Sequence, residues 1–238
     1  MKIAVLMYGQ PRFLEKGYSY FSEFFKGIDV DYFFHLWGNE QVLNQTKQLY
    51  KPKDILVEKQ IENLELNFSS KFDMSYTTRD VQTTLSPLYS IMKVGELLEK
   101  SAEDYDFVAL TRTDVAVFGT SFKKLIKVYN KNNSVYVNYM DGDFWKITRF
   151  KMFNKNRRGV DLKFLYSRKD VIIQLTKIYN ELDDIVTNKR VHFCHHRIFY
   201  YQLSKCVKKF KLIKLHNNDK WHGWHYIRKN EDGYFLSK

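Results

Sequence analysis

Three short stretches combine residue types suited to an anionic ligand. Tyr8-Gly9-Gln10-Pro11-Arg12 sets an arginine just after a glycine. Glycine lets a ligand come close to the backbone, and a guanidinium presents a planar fork to phosphate. His35-Leu36-Trp37 offers an indole face on which a base could stack, and Arg112-Thr113-Asp114 alternates a cation, a hydroxyl and a carboxylate. A fourth group is Ser86, Tyr89 and Lys93. Ser86-Pro87 reads as a helix start, because serine caps well and proline suits the first helical position. Free N–H groups at such a start suit phosphate, and helical spacing puts Tyr89 and Lys93 on one face. Singly, these residues also read as a turn, a surface arginine, a core tryptophan and a packing helix. Their coincidence at element ends carries more weight than any one of them.

The elements that would position them alternate between strand and helix. Lys2 to Tyr8 is a continuous apolar run of strand length, as expected of a strand covered on both faces. Leu14, Tyr18, Phe21 and Phe25 form one stripe of an amphipathic helix. Tyr32 to Trp37 is a second apolar strand, and Ile55 to Val57 a third, with a helix between them that turns Val42, Leu43, Thr46 and Leu49 inward. Asn63 to Leu85 shows no clear period and reads as a loop-rich excursion. The Ser86 helix, with Leu88, Ile91, Met92 and Leu98 buried, leads to strand Phe107 to Leu110, which runs into Arg112-Thr113-Asp114. This order predicts an α/β fold with a mostly parallel, Rossmann-like sheet flanked by helices, with the first, second and fourth strands adjacent. Ligands in such open sheets bind beyond the carboxyl ends of the strands, which is where these stretches fall.

The second half is less regular. Phe122, Leu125, Ile126 and Tyr129 predict a helix, Ser134 to Tyr139 an alternating strand, and Asp161 to Tyr166 another strand. Ser167 to Asp170 has the spacing of a capping box before a stripe of Val171, Leu175, Ile178, Leu182 and Ile185. A helix over His196 to Leu203 and a strand over Phe210 to Leu215 precede a tail rich in histidine and tryptophan.

Composition narrows the classes. The 238 residues suit one domain, and 44% hydrophobic residues supply enough apolar surface to exclude a disordered chain. Two cysteines exclude a disulfide framework and a four-cysteine zinc site. No run approaches the roughly 18 apolar residues of a membrane span, and the N-terminal apolar run is too short for a signal peptide, so a cytoplasmic protein is expected. With 39 Lys and Arg against 27 Asp and Glu, the formal charge is +12. Such an excess suits nucleic acid, nucleotide phosphates or an anionic membrane surface, and mutational bias could also produce part of it.

The set formed by MKIAVLMYGQPRF, DVDYFFHLWG, SPLYSIMKVGELLEK and YDFVALTRTDV resembles small GT-A-type glycosyltransferases of bacterial surface-polysaccharide clusters, large DNA viruses and phages. The resemblance covers roughly the first 120 residues well and the rest loosely. It implies one glycosyltransferase domain over 1–238, with a nucleotide-sugar half at 1–120 and an acceptor half with the tail at 121–238. It implies transfer of a hexosyl-type sugar from a nucleoside-diphosphate sugar, a UDP-sugar first, to a glycan or lipid-linked acceptor in polysaccharide biosynthesis. Tyr8, Gly9, Gln10, Arg12, Trp37, Ser86, Tyr89, Lys93, Arg112, Thr113 and Asp114 would then contact the nucleotide sugar. Asp114 matches the last acid of the D-x-D-like element that holds Mn²⁺ or Mg²⁺ on the diphosphate, and a hard cation with carboxylate and phosphate ligands makes chemical sense there. Arg112 departs from the pattern by replacing the first acid.

An inverting transfer needs a base for the acceptor hydroxyl. Asp143 and then Asp141, in an Asp-Gly-Asp turn, are the candidates, with His195 or His196 as the alternative at the start of a late helix. A tail histidine, of which His222 is one of three, would close over the metal or pyrophosphate. The spacing of His192, Cys194, His195, His196 and Cys206 is not that of a zinc site. The competing reading is a basic nucleic-acid-binding protein, which aromatic residues and positive charge suit, but the basic residues are spread along the chain and no nucleic-acid motif occurs. A further possibility keeps the enzyme and docks its basic surface on an anionic membrane, where lipid-linked acceptors reside.

Overall fold

The computed structural model describes residues 1–62, 81–128, 134–138, 163–207, 210–213, 223–230 and 233–237. β1 (Lys2–Gly9) is its centre. Every side chain from Ile3 to Tyr8 is buried, with Ala4, Leu6 and Tyr8 in one core and Ile3, Val5 and Met7 in another. The unbroken apolar run is thus a strand with a hydrophobic layer on each face. β2 (Asp29–Trp37) and β4 (Phe107–Thr111) pair with β1 in parallel on either side, and β3 (Asp54–Glu58) lies beyond β2.

α1 (Leu14–Phe24) and α2 (Glu40–Tyr50) connect these strands and cover one face together with α4 (Phe122–Val128). Asn39 caps α2 by accepting from the Val42 amide. On the other face, α3 (Val81–Lys100) packs against β1 and β2, and α5 (Lys169–Thr176) and α6 (His195–Cys206) pack against α3. β6 (Val135–Asn138), β7 (Phe164–Ser167) and β8 (Phe210–Ile213) complete a seven-stranded sheet of order β3-β2-β1-β4-β7-β6-β8, in which only β7 runs antiparallel to its neighbours. The chain is a single α/β domain with a mixed, mostly parallel sheet, and its first, second and fourth strands are adjacent as expected.

Three local expectations are corrected. α3 starts at Val81, so Ser86 and Pro87 lie inside it and do not open it. Pro87 sits close enough to the helix start that its missing N–H and its clash with the preceding turn affect only the first turns. Ser167 ends β7 and donates to the Ser134 carbonyl. Arg168 stands at the N-cap without a side-chain cap bond and pairs with Asp170, so the capping box does not form. The apolar stripe from Val171 to Ile185 is buried as expected, but α5 ends at Thr176 and passes into a 3-10 turn and a π turn. The sequence reading also lacked a second sheet. β5 (Val115–Phe118), β9 (Gly223–Asn230) and β10 (Gly233–Ser237) form it, antiparallel in the order β10-β9-β5.

Candidate functional site

The chain builds β1, β2 and β3 in one direction, then returns to place β4 on the far side of β1. The carboxyl ends of β1 and β4 therefore flank a topological switch point, the usual ligand position in an open sheet. Gly9 ends β1 with φ 99°, a conformation that favours glycine, and Arg12 is exposed just beyond it. From the β4 side, Thr113 Oγ1 lies 3.1 and 3.2 Å from the carbonyls of Gln10 and Arg12, tying the turn to the strand end. Gly17 lets α1 pass directly over this junction, because a Cβ there would overlap the Thr113 carbonyl oxygen.

Arg112 and Asp114 form a two-bond fork. Arg112 Nε donates to Oδ1 at 2.8 Å and Nη2 to Oδ2 at 2.7 Å. The Asp114 side chain is 1% exposed and that of Arg112 29%. Asp114 is therefore a buried, paired carboxylate and not a free ligand at the strand end. Its backbone is tied into the second sheet, since β5 starts at Val115 and the Ile227 amide of β9 donates to the Asp114 carbonyl. This arrangement also fails the requirements of a divalent ion at Asp114. Both carboxylate oxygens carry hydrogen bonds from a guanidinium that already supplies the positive charge. Among the described residues no group of three or more His, Cys, Asp or Glu comes together.

A second cluster occupies the ends of β2 and β3 under α3. His35 is fully buried, with Nδ1 2.6 Å from Ser90 Oγ and Nε2 2.7 Å from Glu58 Oε2. Ser90 Oγ accepts from the Gly9 amide at 2.8 Å, and the Tyr89 hydroxyl reaches the same Glu58 oxygen at 3.4 Å. Burial lowers the His35 pKa from 6.5, with the Glu58 hydrogen bond and charge opposing. Burial and then the Glu58 charge raise that of Tyr89. Tyr89 stacks on Trp37 at 5.4 Å, and Lys93 Nζ lies 5.5 Å from the Tyr89 ring while pairing with Glu96. Trp37 is 2% exposed, so the half-buried Tyr89 is the accessible member of this pair. Gln10 donates to Gln60 at 2.5 Å, and Gln60 donates to Ser86 at 3.2 Å, linking the β1 turn to α3 through side chains.

Gly9, Gln10, Arg12, Arg112, Thr113 and Asp114 thus gather at one junction, and Trp37, Ser86, Tyr89 and Lys93 line the adjoining end of the sheet under α3. Tyr8 is buried in the core directly before Gly9. Ser86 lies inside α3, past its first turn, and so is not among the free amides of a helix start. His196 sits in the first turn of α6, its ring 4.0 Å from that of His195, on a helix packed against α3 and α5. Asp141, Asp143 and His222 lie outside the described residues. Sequence reading did not assign Ser90, His35 or Glu58 to the site. The available signal was a polar histidine inside an apolar strand, since buried polar groups need partners.

No protein-family model matches the chain, and no curated protein matches it. Among solved structures, galactosyltransferase LgtC in complex with donor and acceptor sugar analogs is similar at 11% identity and a TM-score of 0.52, over 90% of this chain and 73% of that one. An active-site mutant of LgtC gives 12% identity, a TM-score of 0.52 and the same shares of 90% and 73%. Mouse xyloside xylosyltransferase 1, apo form, is similar at 9% identity and a TM-score of 0.46, over 90% of this chain and 85% of that one. The chain has the GT-A fold, the fold of the LgtC structures.

Proposed function

We propose that the chain is a glycosyltransferase that moves a hexosyl-type sugar from a nucleoside-diphosphate sugar, a UDP-sugar first, to a glycan or lipid-linked acceptor. The observation that carries this reading is the junction at the switch point of a GT-A sheet, where the Gly9 turn and Arg12 meet Thr113 and the Arg112–Asp114 fork. LgtC, which has this fold, is bound to donor and acceptor sugar analogs. That supports a site for two sugars here, with residues 1–120 on the donor side and 121–238 on the acceptor side.

The glycine turn admits the diphosphate to the backbone, and the exposed Arg12 offsets its charge as the leaving group departs, while Arg112 offsets that of Asp114. Thr113 holds the turn against β4. No step is assigned to Mn²⁺ or Mg²⁺, because an ion at Asp114 would first have to displace the Arg112 guanidinium. In an inverting transfer Asp143, Asp141 or His196 would take the acceptor proton. Among the described residues no helix is long and apolar enough to cross a membrane. Contact with a lipid-linked acceptor would rest on the +12 charge at a cytoplasmic membrane face.

Thermal melts with UDP, GDP and dTDP, each with Mn²⁺, Mg²⁺ or EDTA, test this reading against oligonucleotides. A ligand at a hundred times its Kd stabilises by about 2.7 kcal/mol. Stabilisation by one diphosphate supports the transferase. Stabilisation by oligonucleotides alone refutes it in favour of a nucleic-acid-binding protein.

A further inference from the structure

Gly9 holds a left-handed φ of 99°, yet no atom lies within 4 Å of the place its Cβ would take. Hydrogen bonds hold the turn on two sides. On one side Thr113 binds the carbonyls of Gln10 and Arg12, and on the other Ser90 Oγ takes the Gly9 amide. Ser90 has one proton and two competing acceptors, His35 Nδ1 at 2.6 Å and the His35 carbonyl at 3.2 Å. Glu58 decides between them. Its carboxylate can only accept, so the 2.7 Å contact makes His35 Nε2 the donor. A neutral ring protonated at Nε2 has a bare Nδ1, which draws the Ser90 proton and turns the serine lone pairs toward the Gly9 amide. The three residues come from β3, β2 and α3, so the chain of bonds also binds those elements to the end of β1.

We infer that Glu58, His35 and Ser90 are positioning residues for the turn Gly9–Arg12, set in series so that Glu58 selects the His35 tautomer and His35 orients Ser90 on the Gly9 amide. The consequence for ligand affinity rests on the reading of that turn as the diphosphate-binding turn. The geometric consequence, a Gly9 amide held by Ser90, stands apart from it.

Two substitutions at His35 separate this series from a general packing role. In His35→Asn the side-chain oxygen can replace Nδ1 as the acceptor for Ser90. In His35→Gln the longer amide can replace the Nε2–H toward Glu58 but leaves Ser90 without that acceptor. Both trade an imidazole for an amide in the same buried place, so packing loss is similar in the two. Ser90→Ala is the third variant, removing the acceptor of the Gly9 amide. Hydrogen exchange of the Gly9 amide by NMR and calorimetric titration with UDP, GDP and dTDP are read on all three folded proteins. Ser90→Ala and His35→Gln should exchange Gly9 about five- to tenfold faster, the effect of one ordinary hydrogen bond, while the amides of Val5 to Met7 stay as protected as in the native chain. The affinity for whichever diphosphate the native chain binds should fall by a similar factor, and His35→Asn should remain near native in both readouts. Unchanged Gly9 exchange in Ser90→Ala, or equal behaviour of His35→Asn and His35→Gln, overturns the inference. A native chain that binds none of the diphosphates overturns the proposed function instead, and Gly9 exchange still decides the positioning series.

Discussion

Removing Arg112 should harm the fold more than removing the charge of Asp114. The asymmetry follows from burial. The two members are joined by bonds of 2.8 and 2.7 Å, but the Asp114 side chain is 1% exposed against 29% for Arg112. Arg112→Ala leaves a buried carboxylate without its guanidinium, and breaking a buried pair in that sense costs about 3–5 kcal/mol. Asp114→Asn keeps the shape and one accepting oxygen and leaves a cation that reaches water, so the cost is nearer that of one charged hydrogen bond, about 1.5–3 kcal/mol. Urea unfolding of both variants at a common m-value measures the difference, expected at roughly 2 kcal/mol. Combining Asp114→Asn with Arg112→Met should cost less than the sum of the single changes, because the second change no longer strands a buried charge. A solvated strand-end carboxylate predicts otherwise, with each single change within about 0.5 kcal/mol. That result, or an Asp114→Asn cost equal to that of Arg112→Ala, would refute the reasoning.

Gly17→Ala should destabilise by about 1–3 kcal/mol in the same unfolding assay, since overlap with the Thr113 carbonyl outweighs the helix gain of roughly 1 kcal/mol; a more stable variant contradicts the close passage of α1. Arg12→Ala, at an exposed position, should leave the unfolding midpoint near native and weaken diphosphate binding about ten- to a hundredfold, the loss of a charge-assisted contact; unchanged calorimetric affinity removes Arg12 from the site. The pH dependence of stability should carry a His35 component. Its folded pKa is depressed below 6.5, so the unfolded chain binds the extra proton first. The stability tied to the neutral ring is complete above that value and is lost as pH falls toward and through the folded pKa. Urea unfolding from pH 7.5 to 4.5 on the native chain and His35→Asn should show this slope only in the former.

The first half of the fold was legible because its signals are local and strong. β1 is apolar on every residue from Ile3 to Tyr8, and strand–helix alternation orders β1 to β4. The strand-end rule named Gly9, Arg12 and Arg112, which lie at one junction because Thr113 ties the β1 turn to the end of β4. Ser86-Pro87 misled because a proline tolerated early in a helix looks the same in sequence as one that starts it. The setting of Asp114 was not legible because its carbonyl accepts from Ile227 of β9, more than 100 residues away. The His35–Glu58–Ser90 series is likewise non-local, drawn from two strands and a helix that periodicity reads only as packing elements.

The most direct test of the central claim is calorimetric titration of the native chain with UDP, GDP and dTDP, first in EDTA and then with Mn²⁺. The account predicts one saturable diphosphate site that persists in EDTA, because the exposed Arg12 guanidinium supplies positive charge at the turn. Absence of binding by all three diphosphates, with and without the ion, would contradict the nucleotide-sugar reading. Binding that appears only with Mn²⁺ would contradict the arginine account of the site.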